Sequence, residues 1–248
     1  MAWQVADRHE EPVLIESYMT DPDRRLRPSA LLRLHQEAAE RHFGAAGLGS
    51  EALAGMGLVF VMTRLNAVIR RLPTAGETVR VQTWHRDVKG VSFFRCYRLV
   101  DGAGAPLTET VAALSLVDPV EHKLLRPSAF DRFGIPDQTR SVEHCPDPAR
   151  LRLPDGLVDA GAHVVRWSQL DYNRHLNHAY YVDLLCDYAP GGMAGRAVTG
   201  FSVGYHREAR PGQTLALTAL DTGDAVWMRG EHEGGLCFEG KLTFAAAK

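Results

Sequence analysis

The densest run of chemistry-bearing side chains is LDYNRHLNHAYYVDLL, residues 170–185, where Asp171, Asn173, His175, Asn177 and His178 fall within eight positions. At alternate positions, Asp171, Asn173 and His175 would project to one side of an extended segment. The sequence that follows predicts a helix over 177–188, with Asn177 placed to cap it. Backbone N–H groups at a helix start favour developing negative charge. An acid, an amide and an imidazole beside such a start suit acyl transfer or hydrolysis. A second cluster, YHREARPG at 205–212, puts Glu208 near the end of an apolar strand, just before a turn.

These residues need a scaffold, and the chain supplies its pattern twice. A strand over 12–18 and a helix over 28–43 are followed by strand-like runs at 59–70, 77–86, 91–100 and 105–117. The helix has Pro28 in its first turn, and Gly44 and Gly47 end it. Residues 126–158 then lose periodicity and hold five of the thirteen prolines, which marks a connector. A strand at 161–168, the helix over 177–188 and strands at 198–208, 213–221, 224–232 and 236–245 repeat the first pattern. With Gly76 laid on Gly212, Arg71 falls on Arg207, Thr78 on Thr214, and Val79 and Val81 on Leu215 and Leu217. TDPDRRL at 20–26 lies over LDYNRHL at 170–176, pairing Asp21 with Asp171 and Leu26 with Leu176. Only the second copy holds the full polar set, because Arg25 stands opposite His175 and Leu72 opposite Glu208. The fold class expected is α+β, each unit a helix wrapped by an antiparallel sheet.

Taken together, these residues give a chain that resembles the acyl-[acyl-carrier-protein] thioesterases of the bacterial and plant type. The likeness runs from about residue 12 to 246. It is carried by VFVMTRLNAVIRRLPTAGETVRVQTW in the first half and by LDYNRHLNHAYYVDLL and GYHREARPG in the second. The resemblance implies a tandem (double) hot-dog fold: a non-catalytic acyl-pocket half at 1–125, a connector at 126–158 and a catalytic half at 159–248. It implies a catalytic group of Asp171, Asn173, His175 and Glu208, and hydrolysis of fatty acyl carrier-protein thioesters to free acid and carrier thiol. In that reading Glu208 with His175 activates water, and Asn173 and the helix start hold the oxyanion. Many plant members have a cysteine directly after the glutamate. Here that position is Ala209, which favours water as the direct nucleophile. The partner implied is an acyl carrier protein, and the family also suggests a homodimer. The alternatives are an acyl-CoA thioesterase and a non-catalytic acyl-thioester-binding module.

Other signals narrow the classes. The chain has 248 residues, 45% hydrophobic and 23% charged, a composition suited to a globular protein with a sizeable core. Its net charge of −2 argues against a generally basic nucleic-acid binder, so attraction to an acidic carrier would rest on local arginines such as Arg24, Arg25, Arg27, Arg33, Arg64, Arg70 and Arg71. The opening residues lack a signal-peptide core, and no apolar run is long enough to span a bilayer, so a cytoplasmic protein with no membrane partner is expected. Cys96, Cys145, Cys186 and Cys237 are far apart and form no CxxC pair, which predicts reduced thiols. His175 and His178 lack a third ligand at a recognisable spacing, so no metal is expected. GLCFEGKL at 235–242 has Leu242 where a P-loop needs Ser or Thr, and no helix is predicted after it. No cofactor is implied.

Overall fold

The computed structural model describes residues 4–138 and 140–246. Ten strands form one antiparallel sheet. β1 (Arg8–Leu14), β2 (Val59–Ile69), β3 (Thr78–Lys89), β4 (Ser92–Val100) and β5 (Pro106–Val117) belong to the first half. β6 (Val158–Val164), β7 (Val198–Tyr205), β8 (Thr214–Asp221), β9 (Ala225–His232) and β10 (Gly235–Phe244) belong to the second. The order across the sheet is β1-β3-β4-β5-β2-β7-β10-β9-β8-β6. Read inward from each edge, the two halves have the same strand order, and they meet where β2 pairs with β7. This is a tandem hot-dog fold.

Each half lays a helix on the sheet. α1 (Pro28–Ala45) has Pro at its first position and buries Leu31, Leu32, His35, Ala38 and His42 against the strands. A short α2 (Ser50–Gly55) follows; the sequence pattern did not indicate it. α3 (Tyr180–Asp187) buries Tyr181, Val182, Leu184 and Leu185. It has eight residues against eighteen in α1, so only the first half carries a long helix. Among the described residues, no helix is long and apolar enough to cross a membrane.

The duplication extends to individual hydrogen bonds. Gly76 N–H donates to Ile15 O at 2.8 Å, and Gly212 N–H to Val165 O at 3.0 Å. Both glycines have positive φ, 89° and 83°, which a side chain would strain. Asp21 N–H reaches Arg25 O at 2.8 Å, and Asp171 N–H reaches His175 O at 2.9 Å. Arg24 and Arg174 share the left-handed conformation, with φ of 63° and 64°. The same turn is therefore built twice, around an aspartate and a left-handed arginine at matching positions.

The seam between halves is close-packed. Leu65 pairs with Val203, Asn66 with Ser202 and Ala67 with Phe201. Ser202 Oγ donates to Asn66 Oδ1 at 2.6 Å, and Asn66 Nδ2 donates to Pro146 O at 3.2 Å. One side chain thus ties the second half and the stretch after β5 to β2. That stretch packs on the first half: Phe130 and Phe133 are buried, Trp84 Nε1 donates to Arg140 O at 2.8 Å, and Glu109 accepts the His144 N–H at 2.7 Å.

A Cβ on Gly200 would lie 2.6 Å from the Ala67 carbonyl oxygen across this seam. Gly200→Ala is therefore expected to destabilise the chain by roughly 1–3 kcal/mol, as overpacking does. Gly102→Ala is the control: a Cβ there meets nothing within 4 Å, and its cost should stay within about 0.5 kcal/mol. Denaturant unfolding of both variants decides it, and equal midpoints would refute the seam contact.

Candidate active site

Residues 171–175 do not run extended. They form a tight turn closed by the bridge between Leu170 and Leu176. Asp171 organises it: Oδ1 accepts the N–H of Asn173 at 2.9 Å and of His175 at 3.2 Å. The expectation that Asp171, Asn173 and His175 share one face of a strand is corrected by this turn. Asp171 holds the backbone while Asn173, with its side chain exposed, and His175 are carried on it.

Glu208 also sits differently from expectation. β7 ends at Tyr205, so Glu208 lies in the loop beyond it. One backbone bond brings that loop to the turn: Leu176 N–H donates to Ala209 O at 2.8 Å. Their chain neighbours, His175 and Glu208, are thereby set side by side, and His175 Nε2 lies 2.8 Å from Glu208 Oε2. A carboxylate only accepts, so Nε2 carries the proton, and a neutral ring keeps its lone pair on Nδ1. Both side chains are partly exposed, 29% for His175 and 39% for Glu208, as a site for an incoming substrate requires.

Asn177 Oδ1 accepts the Ala179 N–H at 2.9 Å, and Asn177 O accepts the Tyr180 N–H at 2.9 Å. The expected capping role is not realised: α3 begins at Tyr180, three residues later than the sequence pattern indicates, with Ala179 at its N-cap, and Asn177 closes the turn before it. These two donors are already engaged, so they are not open to an oxyanion. Asn177 Nδ2 also donates to Gln36 Oε1 of α1 at 3.2 Å, linking the turn to the first half. A cavity of about 380 Å³ opens beside this contact, lined by Tyr18, Met19, Arg27, Arg33, Gln36 and Asn177 among others.

Two supporting residues escaped the sequence reading. His232 in β9 places Nε2 3.2 Å from the Glu208 carbonyl oxygen, and its Nδ1 accepts the Gly234 N–H at 2.7 Å. Those partners fix the tautomer, with the proton on Nε2. Arg210 donates to Glu208 Oε1 through Nη2 at 2.6 Å and Nε at 3.2 Å. Neither has a local signal, since an ion pair two residues apart and a hairpin 24 residues on depend on the loop's path.

Several arginines considered for a docking surface are internally paired. Arg25 is bound by Asp21 and Asp23, and Arg71 by Glu77. Arg33 lies 3.8 Å from Asp183 and over the Tyr180 ring at 4.6 Å. The four cysteines are free thiols, and Ala209, beside Glu208, is fully buried. Among the described residues, no group of three or more His, Cys, Asp or Glu side chains could hold a metal ion.

Residues 6–126 match the family described as acyl-ACP thioesterase N-terminal domain, and residues 159–243 match the acyl-ACP thioesterase C-terminal domain. The chain is 25% identical over 234 residues to a chloroplastic dodecanoyl-[acyl-carrier-protein] hydrolase of Cinnamomum camphora, covering 85% of this chain and 59% of that protein. It is 26% identical over 233 residues to a chloroplastic palmitoyl-acyl carrier protein thioesterase of Arabidopsis thaliana, covering 85% and 55%. The chain thus spans less than two thirds of the length of these curated relatives. In fold it is similar to an acyl-ACP thioesterase from Bacteroides thetaiotaomicron, with a TM-score of 0.84, 19% identity and coverage of 96% and 98%. It is also similar to a 12:0-ACP thioesterase from Umbellularia californica, with a TM-score of 0.81, 20% identity and coverage of 99% and 100%.

Three histidines, two in α1 and one just before α3, are held neutral. Burial, then the nearby His178, lowers His35 from 6.5 to about 3. Burial, then the Arg95 charge, lowers His42 to about 4. Burial, then Arg33, lowers His178 to about 4. The unfolded chain binds these protons first, so the stability they allow is present above pH 6.5 and is lost as pH falls towards 3–4. Each fully shifted group adds a slope of up to about 1.4 kcal/mol per pH unit within that window. The melting temperature should hold near pH 7 and fall between pH 6.5 and 4, with a smaller fall in His35→Phe. An identical pH profile for that variant would remove His35 from the account.

Proposed function

The chain belongs to the acyl-ACP thioesterase family, and on that footing we propose that it hydrolyses fatty acyl thioesters of acyl carrier protein to free fatty acid and carrier thiol. The observation that carries the reading is the His175–Glu208 pair at 2.8 Å, set on a turn organised by Asp171. Asp171, Asn173, His175 and Glu208 form the proposed catalytic group, in the half at 159–248. The half at 1–125 supplies the acyl pocket, and 126–158 connects them.

The chemistry is water addition. Glu208 and His175 orient a water and take its proton as its oxygen bonds to the thioester carbonyl carbon. The carbonyl becomes an oxyanion, for which the exposed Asn173 amide is the side-chain donor in the same turn. Its collapse breaks the carbon–sulfur bond, and the proton passes to the leaving thiolate. Asp171 holds the turn through the Asn173 and His175 N–H groups. With Ala209 after Glu208, no cysteine acyl-enzyme forms at that position, which favours water as the direct nucleophile. Arg27, which lines the cavity beside Asn177, supplies positive charge for an acidic carrier.

Thiol release from matched carrier-protein and CoA thioesters of several chain lengths tests the proposal. Wild type should release thiol faster from the carrier-protein series; preference for CoA would replace the partner, and no release from any would favour a binding module. Glu208→Gln and His175→Ala should each lower turnover by about 10²–10⁴-fold. Asn173→Ala should lower it by about 10²-fold. Wild-type rates in both Glu208→Gln and His175→Ala would dismiss the site.

A further inference from the structure

We propose that Arg210 is a positioning residue for this site: it fixes the Glu208 carboxylate so that Oε2 alone faces His175. The proposal rests on the thioesterase reading above for its kinetic consequence, although not for its geometry. The two oxygens of Glu208 have separate partners. Oε1 accepts both Nη2 and Nε of Arg210, at 2.6 and 3.2 Å, and Oε2 meets His175 Nε2 at 2.8 Å.

Glu208 needs such a restraint. It stands beyond the end of β7, its side chain is 39% exposed, and packing alone does not choose its rotamer. The main chain around it is pinned from the β9–β10 hairpin. His232 Nε2 donates to Glu208 O, while Arg210 N–H donates to Gln213 Oε1 at 2.8 Å and Gln213 Nε2 to Glu233 Oε1 at 2.9 Å. These bonds hold the backbones of Glu208 and Arg210. The carboxylate itself is held only by Arg210 and His175 among the described residues. Without the guanidinium, His175 must keep the carboxylate in place alone, and its ring loses a fixed acceptor at Nε2. In the first half the corresponding positions are Leu72 and Thr74, so the clamp belongs to the polar copy.

Arg210 is itself 62% exposed, and an exposed ion pair contributes little to stability. Its loss should therefore leave folding intact and act on turnover. Arg210→Met should lower kcat by about tenfold or more with KM unchanged, since the restraint acts on the reacting groups and not on substrate binding. Arg210→Lys keeps the charge without the fork and should hold an intermediate kcat. Added methylguanidinium should raise the kcat of Arg210→Met and leave that of wild type unchanged. Nitrogen-15 spectra of the His175 ring give a readout independent of activity: one tautomer, protonated at Nε2, in wild type, and tautomer exchange in Arg210→Met.

Unchanged kcat in Arg210→Met overturns the proposal, as does a loss that neither lysine nor guanidinium recovers. If wild type cleaves no thioester, the thioesterase reading fails and the ring spectrum decides alone. A shifted tautomer in Arg210→Met then supports the clamp, and an unchanged spectrum overturns it.

Discussion

One backbone hydrogen bond sets the geometry of the proposed site: Leu176 N–H to Ala209 O. It staples a turn to the loop that follows β7. Because His175 precedes Leu176 and Glu208 precedes Ala209, the staple fixes which two side chains become neighbours. The first half makes the same bond, Leu26 N–H to Pro73 O at 2.8 Å, and there it sets Arg25 beside Leu72. The scaffold is therefore indifferent to chemistry. Residue type at two positions decides whether the staple joins a histidine to a carboxylate or closes a patch of core.

The environment under α1 follows a related logic. Arg95 is 3% exposed and has no carboxylate partner among the described residues. Its Nε donates to Thr83 Oγ1 at 2.9 Å, its Nη2 meets His42 Nδ1 at 2.9 Å, and its guanidinium lies 4.8 Å from the Phe43 ring centre. His42 Nε2 lies 2.7 Å from Ala6 O, an atom that can only accept. The ring proton therefore sits on Nε2, and Nδ1 accepts from Arg95. A second proton on His42 would remove that acceptor and set two cations together in a buried space. The cation and the neutral histidine specify each other, with aromatic faces in place of a counter-anion.

How much of this was legible in the chain varied with the range of the interaction. The repeat of β-branched runs predicts most strands closely, 59–70 against Val59–Ile69 and 224–232 against Ala225–His232, but the first strand of each half is misplaced: 12–18 against Arg8–Leu14, and 161–168 against Val158–Val164. Alternation is a local property, and the sheet preserves it. The family likeness and the tandem fold were also readable, because both copies keep Gly76 and Gly212 at the same turn. The conformation of 171–175 was not. Alternating polar residues read as a strand, yet Asp171 prefers to accept two nearby N–H groups, and that local bonding wins over extension. Sequence alone puts Glu208 at the end of a strand because the first turn signal after the apolar run is Pro211-Gly212, whereas pairing with β10 stops at Tyr205. Arg210 and His232 could not be singled out, since their roles exist only after the hairpin has folded over the loop.

The asymmetry between the halves has a physical reading. Leu72 is 8% exposed and belongs to the central core, whereas the Glu208 side chain in the same structural place is 39% exposed. A carboxylate there cannot be buried without a large desolvation cost, so the second copy must leave that corner open. The opening is matched by a shorter helix, eight residues in α3 against eighteen in α1. Arg25, opposite His175, is paired within its own turn with Asp21 and Asp23, and a guanidinium has no lone pair with which to take a proton. One unit closes its staple over a core, and the other holds the same staple open to solvent. The neighbouring α1 then reaches the residue after the open turn through Gln36 and Asn177, so a side-chain hydrogen bond links the polar copy to the apolar one.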